Sequence, residues 1–279
     1  MKNHIYACIW CNHNASEMAA YYCNTFADTK ITAENQLVVM LEMEGQKMML
    51  LNGGDMFSPN PSVSFMVLCS TSDEVEKLYN KLFEGGKALM ELGEYPWSKK
   101  YGWVEDKFGV TWQLYLGNTG GAKEKYVPTL MFNGSNNGKA KEAIELYTSV
   151  FPDSNLQGIL EYTGSEGEQK GNVQHAQFDV NGFTLMCMDS SYDHKFNFTE
   201  GISLVANCKN QQEIDKYWND LTNDGGAESM CGWLKDKYGL SWQIIPENMA
   251  ALIQKPAAMQ ALMQMKKIVI ADLEAAGSR

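Results

Sequence analysis

The sequence is poor in positive charge and has no long apolar run. Its 279 residues include 23 Lys and Arg against 34 Asp and Glu, which gives a formal net charge of −11 at pH 7. Proteins that bind nucleic acids or anionic membranes do so through a basic face, so we expect neither as a partner. A membrane helix needs roughly 18 apolar residues in succession, and no stretch approaches that length. The composition therefore argues against polyanion-binding and membrane-spanning proteins.

The cysteines give no sign of a disulfide framework. They number seven, an odd count, and most lie in apolar stretches, as Cys69 and Cys208 do. We interpret them as reduced, buried thiols and expect a cytoplasmic protein. Cys8, Cys11 and His13 resemble a metal or redox motif, but residues three apart in a strand point to opposite faces. We therefore do not interpret them as a site.

Motifs for nucleotide and nucleophile chemistry are also missing. No Gly-x-Gly-x-x-Gly loop follows the strand-like segments 5–11 and 127–133, although a Rossmann-type cofactor site requires one. The chain also has neither a phosphate-binding loop nor a Gly-x-Ser-x-Gly elbow. We therefore expect no cofactor.

What the sequence does contain is an internal duplication. Residues 102–113 (GWVEDKFGVTWQ) match residues 232–243 (GWLKDKYGLSWQ). Three further segments match in the same order, and chance does not align four segments in this way. The duplication predicts a first domain at 1–118, a linker at 119–125, a second domain at 126–247 and a helical tail at 248–279.

Each repeat shows the same order of predicted elements: strand, helix, two strands, strand, helix and a final hairpin. In the second repeat the strands are 127–133, 173–180, 183–189 and 202–208, and the helices are 138–151 and 211–223. Each domain is therefore two β-α-β-β-β units, an α+β fold. The first repeat carries an extra loop, 87–101.

The tail has no counterpart in the first repeat. Its apolar residues fall near helical spacing and predict one C-terminal helix with a single apolar stripe: Met259, Leu262, Met265, Val269, Leu273 and Ala276. Amphipathic helices usually face a core. We expect this helix to dock on the body of the protein or on a second chain.

These patterns resemble the vicinal-oxygen-chelate superfamily of glyoxalases, bleomycin-resistance proteins and extradiol dioxygenases. Within the superfamily, the details resemble the PhnB-like branch, labelled 3-demethylubiquinone-9 3-methyltransferase-like. The stretches that carry it are 137–147, 151–154, 231–246 and 261–268. The resemblance implies a cupped sheet in each domain that holds a small-molecule ligand. Because two chains pair in one-domain relatives, it also implies that the two repeats pair with each other, with a further homodimer possible.

Metal-dependent members of the superfamily bind a divalent ion, and the resemblance places their last ligand, a Glu, seven residues after the turn Asp. Counting from Asp106 and Asp236 gives Gln113 and Gln243. The first strands carry no His or carboxylate. A metal site needs three or four convergent donors, so we expect no metal.

Two functional hypotheses remain open. One is a protein that binds a small apolar or aromatic molecule in one or both cups. The other is an enzyme (a lyase, isomerase or dioxygenase) with a variant site around His175, Asp189 and Gln243. The methyltransferase label finds no support, and no catalytic residue is assigned. The candidates for the ligand pocket are Trp103, Gln113, His175, Cys187, Asp189, Trp233 and Gln243.

Overall fold

A computed structural model describes residues 4–117, 120–165 and 167–278. The first repeat contains two β-α-β-β-β units. Unit 1 is β1 (Ile5–Cys11), α1 (Ala15–Thr25), β2 (Thr29–Glu34), β3 (Val38–Met43) and β4 (Gln46–Asn52). Unit 2 is β5 (Val63–Cys69), α2 (Ser72–Phe83), β6 (Lys87–Tyr95), β7 (Ser98–Glu105) and β8 (Thr111–Leu116).

The second repeat has the same order of strands and helices, which confirms the predicted fold class. Unit 3 is β9 (Tyr126–Asn133), α3 (Ala140–Val150), β10 (Asn155–Glu161), β11 (Val173–Val180) and β12 (Phe183–Ser190). Unit 4 is β13 (Ile202–Cys208), α4 (Gln211–Thr222), β14 (Ala227–Glu228), β15 (Trp233–Lys235) and β16 (Ser241–Pro246). The predicted domain boundary at 118/119 lies outside the described residues.

The sixteen described strands form two mixed sheets of eight, and each sheet combines units from both repeats. Sheet 1 has the order β14-β15-β16-β13-β1-β4-β3-β2 and joins unit 1 to unit 4. Sheet 2 has the order β10-β11-β12-β9-β5-β8-β7-β6 and joins unit 2 to unit 3. At the two junctions Ile5 lies opposite Ala206, and Val63 lies opposite Leu130. The repeats therefore pair with each other as expected, but each cup is shared between the repeats instead of being contained in one.

The helices α1–α4 pack between the two sheets, and two buried aspartates link the layers. Asp106 follows β7 in sheet 2. Its Oδ2 accepts hydrogen bonds from Tyr22 Oη of α1 and from Trp112 Nε1, both at 2.9 Å. Its Oδ1 accepts the backbone N–H groups of Phe108 and Val110, at 2.9 and 3.1 Å. α1 itself stands on β3 and β4 of sheet 1. The carboxylate therefore closes the β7–β8 turn and ties the two sheets together.

Asp236 repeats this arrangement in the second repeat. Its carboxylate accepts from Tyr147 Oη at 2.7 Å and Trp242 Nε1 at 3.0 Å, and from the backbone N–H groups of Tyr238 and Leu240 at 2.9 and 3.1 Å. Asp236 is buried and belongs to sheet 1, whereas Tyr147 lies on α3 of unit 3. Both repeats have Asp-x-x-Gly at this turn, 106–109 and 236–239. The aspartate of each pattern thus links the two sheets as well as closing a turn.

The segment 87–101, expected from the sequence to be a loop, forms an antiparallel hairpin of β6 and β7 at the edge of sheet 2. The corresponding strands of sheet 1, β14 and β15, have only two and three residues. The expectation of a loop was wrong because this segment pairs with the sheet edge. The insertion therefore lengthens the edge strands of sheet 2, whereas the corresponding strands of sheet 1 are short.

The tail forms three short helices instead of one: α5 (Met249–Leu252), α6 (Pro256–Leu262) and α7 (Ile270–Gly277). The single helix is broken because the carbonyl oxygens of residues 265 and 266 accept the N–H groups of Cys231 and Gly232, both at 2.7 Å. The tail docks on sheet 1 through the buried side chains of Leu262, Ile268 and Leu273. Within the described part of the chain, no helix combines the length and apolarity that crossing a membrane requires.

Candidate functional site

A cavity of about 950 Å³ opens on the face of sheet 2 that points away from the helices. Its walls come from β5–β8 of the first repeat and from β10–β12 of the second. The side chains that line it include five aromatic rings, three methionines, five amides and one imidazole: Trp97, Tyr101, Trp103, Tyr115, Tyr162, Met66, Met90, Met188, Gln113, Asn155, Gln157, Gln174, Gln177 and His175. Among the described residues that line it, none is Asp, Glu, Lys or Arg.

Strand alternation places these side chains. Trp112 faces the helices, where its fully buried ring stacks on Phe65 and contacts Phe26. Gln113, the next residue, therefore faces the cavity, and Trp103 lies opposite it in the β7–β8 register. On the other wall Ala176 is fully buried towards the helices. Its neighbours His175 and Gln177 consequently point into the cavity.

The Gln113 amide is bonded at both ends. Its Oε1 accepts a hydrogen bond from Tyr101 Oη at 2.7 Å, and its Nε2 donates to Ser64 Oγ at 2.7 Å. Only 6% of Gln113 is exposed. A metal ion at this position would have to displace the Tyr101 hydroxyl from the amide oxygen.

Gln243 occupies the equivalent position in sheet 1. Its Nε2 donates to Ser203 Oγ at 3.0 Å. Cys8 lies beside this pair, and burial raises the pKa of its thiol to about 12, although hydrogen bonds with Gln243 and Ser203 act in the opposite direction. The thiol is therefore protonated at neutral pH and is a poor ligand.

Among the described residues that line the cavity, only His175 carries an imidazole. Burial lowers the pKa of its ring below the ordinary value of 6.5, because desolvation disfavours the charged form. The ring is therefore neutral at pH 7. No described residue donates a hydrogen bond to it or accepts one from it, so its nitrogens are left for a ligand or for water.

Two of the predicted pocket residues, Asp189 and Cys187, lie on the helix side of β12 and outside the cavity. Asp189 Oδ1 accepts the N–H groups of Gly138 and Ala140 at 2.8 and 3.1 Å, and Oδ2 accepts that of Val173 at 2.8 Å. It anchors the start of α3. Cys187 is fully buried. Because the face alternates along a strand, Met186 and Met188 are the residues of β12 that point away from the helices.

Trp233 and Gln243 lie on sheet 1, and Trp233 packs edge-on against Trp10 with ring centroids 5.9 Å apart. The structure therefore brings together Trp103, Gln113 and His175, but not the other four predicted pocket residues. Sequence reasoning missed the inserted hairpin residues and Gln177. Gln177 could have been predicted, because it lies two positions after His175 in the same strand and therefore on the same face of the sheet.

The side chains that line the cavity are a poor donor set for a divalent metal ion. No group of three or more His, Cys, Asp or Glu side chains converges anywhere in residues 4–117, 120–165 and 167–278. Gln113, at the position that the resemblance gives to the last metal ligand, donates a hydrogen bond from its Nε2 to Ser64 Oγ. Hard divalent cations and zinc prefer carboxylate, imidazole or thiolate donors. The residues present do not fit such an ion.

Comparison with known proteins places this geometry in a family. A family model described as 3-demethylubiquinone-9 3-methyltransferase matches residues 3–115 and 124–245, once in each repeat. A search of curated proteins finds no match. Among solved structures, glyoxalase I from Zea mays is 11% identical over 88% of this chain and 92% of its own, with a TM-score of 0.59.

A second solved structure is similar over a single repeat. It is a putative 3-demethylubiquinone-9 3-methyltransferase, the PhnB protein from Bacillus cereus. It is 29% identical over 40% of this chain and 98% of its own, with a TM-score of 0.38. The chain belongs to the 3-demethylubiquinone-9 3-methyltransferase (PhnB-like) family, with two tandem copies of the family domain and the vicinal-oxygen-chelate fold.

Proposed function

We propose that the protein binds a small, neutral, aromatic molecule in the cavity of sheet 2. The observation that carries this proposal is the composition of the wall: aromatic rings, methionines and amides, with no charged side chain among the described residues that line it. A charged ligand would lose its hydration there without gaining an ionic partner, which is costly. A neutral ring would gain contact with aromatic faces and polarisable sulfur.

The amides support binding in a defined orientation. Ligand sites commonly combine an apolar wall with a few polar groups that fix the pose. Gln177 Oε1 is buried and has no hydrogen-bond partner, while the amide nitrogen of the same residue donates to Gln157 Oε1. A small rotation of Gln177 would present an acceptor to a ligand O–H or N–H.

We further propose that binding needs no metal, since both ends of the Gln113 amide are already used. The alternative is an enzyme acting through His175, Asp189 and Gln243, and it requires groups that lie in three separate places. His175 faces the cavity, Asp189 anchors α3 and Gln243 belongs to sheet 1. This separation supports binding over catalysis.

Titration with N-phenyl-1-naphthylamine, a neutral aromatic probe whose fluorescence rises in apolar sites, tests the proposal. The unmodified chain should bind it saturably, and dialysis against a chelator should not change the affinity. Trp103→Ala should weaken binding at least tenfold, about 1.4 kcal/mol, because a large aromatic face is lost.

Trp233→Ala is the matched control, since Trp233 holds the same position in sheet 1. Its affinity should stay within about twofold of the unmodified chain. Equal losses in the two variants, or no saturable binding by the unmodified chain, would contradict the proposal. A fall in affinity on chelation would contradict the metal-free site.

A further inference from the structure

The two cups are equivalent in register but not in content. On the central strand of sheet 1, Trp10 lies opposite Leu51 of β4. On the central strand of sheet 2, Met131 lies opposite Met188 of β12. Two residues earlier in each strand, Cys8 lies opposite Ser203, which is bonded to Gln243. Thr129 lies in the same way opposite Ser64, which is bonded to Gln113. Trp10 therefore stands in one cup where Met131 stands in the other.

The Trp10 indole is fixed within its cup. Its Nε1 donates to the carbonyl oxygen of Gly54 at 2.8 Å. Its ring meets Phe57 and Trp233 edge-on, with centroids 5.1 and 5.9 Å apart. An indole with a bonded N–H and two aromatic neighbours is held as a bound aromatic ligand would be.

The backbone around Trp10 is adapted to the ring. A Cβ on Gly53 would fall 2.1 Å from Trp10 Cε2, so only glycine leaves room for the indole there. The equivalent position in sheet 2 is Ser190, since Asn52 and Asp189 occupy matching places in the β1–β4 and β9–β12 registers. Sheet 1 therefore has the large ring together with the glycine that admits it, and sheet 2 has neither.

Trp233, the residue that contacts Trp10, has an equivalent in sheet 2. Trp233 lies opposite Gln243 in sheet 1, as Trp103 lies opposite Gln113 in sheet 2. The ring of Trp233 is in contact with Trp10, whereas Trp103 lines the open cavity. The same wall residue thus faces an indole in one cup and space for a ligand in the other.

We infer that Trp10 occupies in the cup of sheet 1 the place that the ligand takes in the cup of sheet 2. Two consequences follow. Each chain has one ligand site and not two, and the ligand is a flat aromatic molecule able to pack on Trp103 as Trp10 packs on Trp233. This inference rests on the proposed function of the sheet 2 cavity and adds the stoichiometry and shape of what it binds.

A reciprocal exchange tests the inference, with N-phenyl-1-naphthylamine stoichiometry measured by equilibrium dialysis on the full chain. The unmodified protein should bind one equivalent. Trp10→Met, which installs the residue of the other cup, should bind two. Met131→Trp combined with Ser190→Gly, which supplies the glycine that the indole needs, should bind none. The chain that carries these two substitutions together with Trp10→Met should bind one. Cyclohexanol, an aliphatic competitor, should displace the probe at least tenfold less well than 2-naphthol does.

The outcomes separate this inference from the function on which it rests. No binding by the unmodified chain contradicts the proposed function. One equivalent in both the unmodified chain and Trp10→Met contradicts the role of Trp10. Two equivalents in the unmodified chain contradict it without any variant, so a folding defect in Trp10→Met, checked by circular dichroism, does not remove the test. Equal displacement by the two competitors contradicts the aromatic ligand.

Discussion

Replacing Asp236 by asparagine should lower the free energy of unfolding by about 2–4 kcal/mol, the range expected when a buried, hydrogen-bonded charge is altered. Asparagine can still accept the backbone N–H groups of Tyr238 and Leu240 through Oδ1. Its amide nitrogen, however, would face the indole N–H of Trp242, which donates at 3.0 Å and cannot accept. The link between the sheets through Tyr147 would weaken at the same time. Urea unfolding monitored by circular dichroism measures the change.

The first repeat offers a replicate of this experiment, and α4 of the second repeat offers a surface control. Asp106→Asn alters the same four hydrogen bonds and should cost a similar amount. Asp220→Asn removes only an exposed ion pair with Lys216 on α4 and should cost less than about 0.5 kcal/mol. If Asp236→Asn destabilises no more than Asp220→Asn, the carboxylate does not hold the layers together.

The cost of Asp236→Asn should also depend on pH. Burial raises the pKa of Asp236 to about 6, against the opposing effect of its hydrogen bonds. The folded state then binds more protons than the unfolded state between about pH 4 and pH 6, so this group contributes stability that is lost as pH rises through that window. The difference in the free energy of unfolding between the unmodified chain and Asp236→Asn should therefore shrink from pH 4 to pH 7. A difference that grows would show that the hydrogen bonds outweigh burial.

Shortening the β6–β7 hairpin should abolish ligand binding, with a loss of affinity above a hundredfold, or about 2.7 kcal/mol. Residues 89–102 would be replaced by the four residues that join β14 to β15, Ser229–Gly232. The exchange removes three lining residues, Met90, Trp97 and Tyr101, and with Tyr101 the hydrogen bond to Gln113 Oε1. One wall of the cavity would be open to water. Titration with N-phenyl-1-naphthylamine measures the loss.

A point variant tests the same wall of the cavity without the risk that the shortened chain fails to fold. Trp97 is 49% exposed near the hairpin turn, so Trp97→Ala should leave the melting temperature unchanged while weakening the probe by about fivefold to tenfold. Unchanged affinity in a folded, shortened chain would mean that the inserted hairpin is not part of the site.

The repeat, the strand and helix order and the family were predictable because each depends on local sequence. The signals are short-range: the period of the apolar residues, the duplicated hairpin, and the Asn-Gly pair at 181–182, which is typical of a tight turn and lies between β11 and β12. The exchange of units between sheets was not predictable in this way. β5 and β13 have the same pattern, so β1 could pair with either, and only the packing of the whole chain decides between them.

The site was predicted in part for a similar reason. Trp103 and Gln113 fall in the duplicated hairpin, so strand alternation and the family pattern located them. β12 is apolar on both faces, so alternation did not reveal that Cys187 and Asp189 point towards the helices. The inserted segment contains Gly93 and Pro96, and its β-bulges at several places obscure the period of a strand. Its role in the cavity wall therefore had no clear local signature.

The division of each sheet between distant parts of the chain affects the order in which the protein can form during translation. β1 emerges from the ribosome early, yet its neighbour β13 belongs to the last unit, with Ile5 opposite Ala206. At roughly 5–20 residues per second, β1 has an unpaired edge for about ten seconds or longer. Sheet 2 has no such delay, because units 2 and 3 are consecutive. Sheet 2 can thus be complete while sheet 1 still lacks the strands of unit 4.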